Sequence, residues 1–307
     1  MLRLNYEKKD LGTSYALAVA VMVFSSFLLG LIFGVNVTGW KFWLMQALYT
    51  LFIGASAVLY AVFTKTNLFA ATKMNVKPAL AHVLWGCLAV VCLIACMMPI
   101  NNALLTGIER LGLPRPDVDI PNDIAGLLIV ACLLPCITEE MVFRGTVAQS
   151  LAQDGNKWAC VAISGALFSI FHANPAQTVH QFVLGAFLTL LALRSGSLWT
   201  SVIVHFFNNA LVVALSYTPL DNAAFWSFST NTGAVVGILC AGLVGFAACV
   251  FGYIKTTKSV WQQDVQSGET EQTDVAKNVQ RNASSTVLLC VAVAVCVALW
   301  VTNLFMK

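Results

Sequence analysis

The sequence predicts an all-α protein, a polytopic transmembrane helical bundle of about eight or nine spans. Two observations carry this. Hydrophobic residues make up 59% of the 307-residue chain and charged residues only 10%, where a soluble domain has about 25% charged. The apolar residues also fall into runs of roughly 20, the length that crosses a ~30 Å hydrocarbon core.

The runs lie at about 14–36, 41–64, 79–100, 122–145, 157–173, 178–194, 197–217, 232–254 and 285–305. The first is full length, so it reads as an uncleaved span rather than a signal peptide. The fourth is expected to continue as helix to about Asp154. The fifth and sixth are short and meet at Asn174 and Pro175, as in a hairpin that stops before the far surface. Residues 101–121 hold Pro114, Pro116 and Pro121 and read as an external loop. Residues 255–284 are polar and read as a cytoplasmic linker that isolates the last span from the rest.

The chain thus divides into residues 1–121, with three spans and the loop, and 122–217, the core. An eighth span at 218–254, the linker at 255–284 and a C-terminal span at 285–307 complete it. Gly30 and Gly34, and Gly242 and Gly245, are spaced for close helix contact.

Basic residues vote on orientation. With the N-terminus in the cytoplasm, twelve of them, including Arg3, Lys65, Lys73, Lys157, Arg194 and Lys255, flank cytoplasmic ends, against Lys41, Arg110, Arg115 and Lys307 outside. The reading is a multi-pass cell-membrane protein with its N-terminus inside. The net charge of +3 is scattered between apolar spans and gives no basis for nucleic-acid binding. The ten cysteines all lie in apolar stretches and read as small buried hydrophobes, not as a disulfide framework.

Chemistry is sought among ionisable residues inside the spans, because a charged side chain at the bilayer centre costs about 2.5–3.5 kcal/mol on insertion scales. Glu139 and Glu140 are the acids well inside an apolar run, followed by Arg144. His172 and His205 lie in later spans, with Asn208 and Asn209 a turn beyond His205. At about 1.5 Å of rise per residue, Glu139, His172, His205 and Asn209 can share one layer of the membrane.

Helical phase separates the two glutamates. Glu140 and Arg144 are i and i+4 and can pair. Glu139 points about 100° away, towards the face of Pro135 and Phe143. Pro135 removes a backbone hydrogen bond just before the pair, and the kink is expected to admit water in a cavity open to the cytoplasm. Phe168 and His172 share a face, as do His205 and Asn209.

A carboxylate beside an imidazole suits activation of water. A second histidine with an asparagine amide suits stabilisation of an oxyanion. The parts fit hydrolysis of an amide or ester. A second scheme binds zinc through His172, His205 and Glu139 and lowers the pKa of its water.

Glu139-Glu140-x-x-x-Arg144, Phe168-x-x-x-His172 and His205-x-x-x-Asn209, in that order and in successive helices, resemble the CPBP family. This family comprises the type II CAAX prenyl endopeptidases and the bacteriocin-processing or immunity membrane proteins, also called ABI. The resemblance covers roughly residues 120–217. It implies a helical intramembrane peptidase that cuts a membrane-associated peptide or protein near the cytoplasmic end of its span. Glu139 and His172 would activate water, with Glu140 and Arg144 beside them, and His205 and Asn209 would stabilise the oxyanion. The family is described both as metalloproteases and as glutamate-dependent enzymes, so zinc stays open as a cofactor.

Blander roles compete at some positions. His180 lies outside the motifs and reads as a packing residue or one facing a water-filled cavity. His82 reads as interfacial, and Asn208 as helix-packing glue. The rival functions are a proton-coupled small-molecule transporter, which would favour an inverted internal repeat that is not evident here, and a non-proteolytic immunity or scaffold protein that keeps the motif.

Overall fold

The computed structural model describes residues 2–34, 36–114, 123–154, 156–221, 225–260 and 275–305. Among these the regular elements are helices, and an isolated backbone bridge joins Arg3 to Thr66. They are α1 (Asp10–Phe33), α2 (Gly39–Phe63), the single turn α3 (Leu68–Ala71), α4 (Leu80–Arg110) and α5 (Ile124–Leu151). Then follow α6 (Lys157–Phe171), α7 (Thr178–Ser195), α8 (Leu198–Ser216), α9 (Thr232–Thr256) and α10 (Val275–Phe305).

Among the described residues, eight helices are long and apolar enough to cross a membrane. The chain is a multi-pass membrane protein. Its outward side chains agree, since Phe27 and Leu31 on α1 are 67% and 69% exposed and find an apolar environment only in lipid. The fifth predicted span, α6, has 15 residues. At 1.5 Å per residue it rises about 22 Å, short of a full crossing, and with α7 it forms a hairpin.

The bundle has two distinct ends. Arg3 N–H donates to Lys65 O, Leu198 N–H to Lys73 O and Val260 N–H to Arg194 O, so the N-terminus and the basic connections share one end. At the other end lie the C-termini of α4 and α8 and the start of α9, tied by Asn102 Nδ2 donating to Trp226 O at 3.0 Å.

Several expectations change. Residues 101–110 continue α4 instead of opening a loop, because nothing in that stretch breaks a helix and Pro99 is carried within it. Of the linker, α9 claims residues 255–256 and α10 starts at 275, while residues 261–274, like 115–122 of the external loop, lie outside the described residues.

The last span is not isolated. Gly12 on α1 lets α10 approach so closely that a Cβ there would stand 1.7 Å from Ser285 O. Gly12 N–H also donates to Ser285 Oγ at 2.9 Å. Gly242 and Gly245 meet Cys92 and Cys96 of α4, whereas Gly30 has nothing within 4 Å and is no packing contact. Cys240 and Cys290 are exposed rather than buried. His82, expected at the interface, is buried, with Nδ1 2.9 Å from Tyr253 Oη. Asp10, at the mouth of α1, is a further buried acid, held by Arg3 and by the Tyr60 hydroxyl at 2.7 Å.

Candidate active site

Local helix chemistry presents the glutamates. Helix α5 is π-helical over Leu127–Leu133 and again over Phe143–Val147, with nine residues of α-helix, Leu134–Val142, between. Pro135 opens that α-helical stretch, where its missing N–H weakens the ladder. Single π turns of this kind recur at functional sites, since they rotate the following side chains. Both glutamates lie in the short α-helical piece between them.

Glu140 points into the protein and is fully buried, as is Arg144. Arg144 Nη1 donates to Glu140 Oε1 at 2.7 Å, and Arg144 Nη2 donates to Gly185 O on α7 at 2.9 Å. His205 Nδ1 lies 2.9 Å from the same Glu140 oxygen. The guanidinium carbon stands 4.2 Å from the Phe168 ring centroid, a cation–π contact that occupies its remaining face. Three ionisable groups from α5 and α8 thus form one dry network.

Glu139 faces the other way. With Pro135 it lines a cavity of about 690 Å³ that also takes in His172, His205 and Asn209. Its Oε2 is 3.8 Å from His172 Nε2, and the two side chains are 16% and 18% exposed. That separation exceeds a hydrogen bond. His172 Nδ1 lies 2.7 Å from Phe168 O, the carbonyl one turn earlier. As the carbonyl can only accept, Nδ1 carries the proton and Nε2 presents its lone pair to the cavity. Phe168 stacks edge-on to His172 at 4.6 Å and so touches both sets of residues. Phe143, expected on the Glu139 face, packs instead in the core against Phe168 and Tyr15, because the π turn begins at that residue.

Asn209 Nδ2 donates weakly to Ala131 O at 3.4 Å, and Asn208 Nδ2 donates to Asn209 Oδ1 at 3.0 Å. The cavity wall also holds His180, for which facing a cavity was one of the two expected positions, and Asn208, expected to pack between helices. His180 stands on the return arm of the α6–α7 hairpin, opposite His172. A turn at Asn174-Pro175 with histidines on both arms was the signal that could have found it.

The hairpin is held from two sides. Gly165 and Gly185 allow α6 and α7 to touch, and a Cβ on Gly185 would lie 2.8 Å from Phe168 Cδ1. Ala173, directly after His172, has φ of +47°, a left-handed conformation unfavourable for a residue with a Cβ. Asn303 Nδ2 from α10 donates to Ala173 O at 2.8 Å, and Trp300 Nε1 donates to Thr178 Oγ1 at 2.8 Å. The C-terminal helix therefore supports the turn that carries His172.

The cavity was expected to open towards the cytoplasm. Its wall continues through Leu105, Ser216, Leu220 and Trp226, at the end of the bundle opposite the basic connections. A cytoplasmic N-terminus and a cytoplasmic mouth are thus incompatible in this fold. Among the described residues, no group of three or more His, Cys, Asp or Glu side chains is placed to hold a metal ion. The ligand set of the zinc scheme, His172, His205 and Glu139, is not drawn into one such group.

Residues 121–211 match the family model "Type II CAAX prenyl endopeptidase Rce1-like". That segment is similar to the Rce1-like family. It runs from just before α5 into α8 and holds Glu139, Glu140, Arg144, Phe168, His172, His205 and Asn209. The chain is also 25% identical over 105 residues to the "Putative membrane peptidase YdiL" of Bacillus subtilis (strain 168). That alignment covers 34% of this chain and 43% of YdiL, less than half of the relative's length. No solved structure matches the chain. The Rce1-like segment excludes α10, so the support of the His172 turn by Trp300 and Asn303 comes from outside it.

Proposed function

We propose that the chain is an intramembrane endopeptidase that hydrolyses a peptide bond of a membrane-associated substrate, with CAAX-type proteins as one class its family suggests. One observation carries the reading: Glu139 Oε2 and His172 Nε2, two proton acceptors 3.8 Å apart, face the same cavity within the Rce1-like segment. A water molecule between them would donate one O–H to each and turn a lone pair towards a carbonyl carbon. Its attack forms the new C–O bond while Glu139 or His172 takes the proton, and that proton then passes to the departing amine nitrogen as the C–N bond breaks.

His205 and Asn209 supply the oxyanion side. His205 turns Nδ1 to Glu140 at 2.9 Å, so its other ring nitrogen is the one left to serve the developing oxyanion, beside the Asn209 amide. Glu140 and Arg144 act through His205 and do not touch substrate. The protein sits in the cell membrane, and a cytoplasmic N-terminus would place the cavity mouth on the opposite face.

The test is cleavage of apolar peptides by the purified, detergent-solubilised protein. His172→Ala is expected to lower the rate about 10²–10⁴-fold, the usual contribution of a general base. Cleavage by this variant at the wild-type rate would refute the reading. Zinc quantified per chain in the active preparation, with and without a chelator, decides between the two ways of activating water.

A further inference from the structure

Behind the motif residues, the cavity wall holds a line of polar contacts that ends on Asn209. Asn208 is buried, and its Nδ2 donates to Asn209 Oδ1 at 3.0 Å. The His180 ring hydrogen-bonds the Asn208 side chain from the facing helix α7. With Asn208 Nδ2 given to Asn209, that bond falls to Asn208 Oδ1, which can only accept, so His180 supplies the N–H. Donation therefore runs in one direction, from His180 through Asn208 to Asn209. The far end of the line is held loosely. Asn209 Nδ2 lies 3.4 Å from Ala131 O and 3.7 Å from Cys136 Sγ, both long contacts, and the residue borders the cavity.

We infer that His180 and Asn208 are positioning residues that fix the Asn209 amide with its N–H towards the developing oxyanion. The inference rests on the peptidase reading and adds to it two residues that do not touch the reacting atoms. An asparagine amide left to itself can turn over, because its two ends have nearly the same size. At an oxyanion the two orientations are opposites, since Nδ2–H stabilises the charge and Oδ1 repels it. Occupying Asn209 Oδ1 with the Asn208 donor excludes the harmful one. The α6–α7 hairpin then sets both sides of the site. One arm ends at His172, beside Glu139, and the other carries His180 in its first turn, so a single turn keeps the water-activating side and the oxyanion side in register.

Two measurements on the full-length protein in detergent test this. The first is cleavage of an apolar peptide, with kcat and KM separated. His180→Ala and Asn208→Leu are each expected to lower kcat about five- to tenfold, the worth of one hydrogen bond, with KM little changed. In an Asn209→Ala background neither should lower kcat further, since no amide is left to orient. The second needs no turnover. In a double-mutant cycle on the thermal midpoint, His180→Ala and Asn208→Leu are expected to be non-additive.

Wild-type kcat in both single variants, an effect confined to KM, or an undiminished loss in the Asn209→Ala background would overturn the inference, as would additive midpoint shifts. Coupled midpoints in a wild-type protein that cleaves nothing would uphold the hydrogen-bonded relay and overturn the peptidase reading.

Discussion

Glu139 and Glu140 are neighbours in sequence and belong to different worlds. Glu140 is sealed among Arg144, His205 and Phe168, whereas Glu139 borders a cavity of about 690 Å³ beside His172. The same side chain one residue apart is structural cement in one case and a candidate proton acceptor in the other. Helical phase makes the difference, and the two π turns of α5 preserve it by turning Phe143 into the core while Glu139 stays at the cavity. Burying a carboxylate is tolerable where a guanidinium meets it, and a reactive carboxylate is useful only where substrate can reach it.

The strongest way to break this contrast is to remove a partner from the sealed side. Arg144→Ala strands the Glu140 carboxylate and is expected to cost about 3–5 kcal/mol of stability, read as a large fall in the thermal midpoint in detergent. A midpoint near that of the wild type would show that Glu140 is not sealed. A smaller effect is expected from Gly185→Ala, whose new Cβ runs into Phe168, the ring between the two sets. Overpacking there should cost about 1–3 kcal/mol and lower both stability and cleavage.

The smallest effect sharpens the open side. Asn303→Ala removes the hydrogen bond to Ala173 O and should slow cleavage about fivefold, with the thermal midpoint little changed. Adding Ala173→Gly, which adopts a positive φ without strain, should restore most of that loss. No effect of Asn303→Ala, or no rescue by glycine, would mean that the turn does not need α10.

Much of this site was legible in the sequence for a physical reason. The Glu140–Arg144 pair is an i, i+4 contact, and the divergence of Glu139 follows from 100° per residue, so both are local consequences of helix geometry. The α6–α7 hairpin showed as two short apolar runs around Asn174-Pro175. The docking of α10 was invisible, because its contact through Gly12 and Ser285 joins residues 273 apart with no shared local pattern. Asn208 was expected to pack, and His180 to pack or to face a cavity, because one helical face was assigned to each helix, whereas a cavity closed by a hairpin draws on two. A cytoplasmic N-terminus and a cytoplasmic cavity mouth were expected together for a similar reason: Pro135 marks a kink, but the surrounding helix ends decide where the opening leads, and it leads away from the N-terminus.

The most direct test sets Glu139→Gln beside Glu140→Gln, each measured for thermal midpoint and for peptide cleavage in the same detergent preparation. Glu139→Gln is expected to keep the wild-type midpoint and lose cleavage, while Glu140→Gln lowers the midpoint because Arg144 loses its counter-charge. Wild-type cleavage by Glu139→Gln, or a fall in midpoint equal to that of Glu140→Gln, would contradict this.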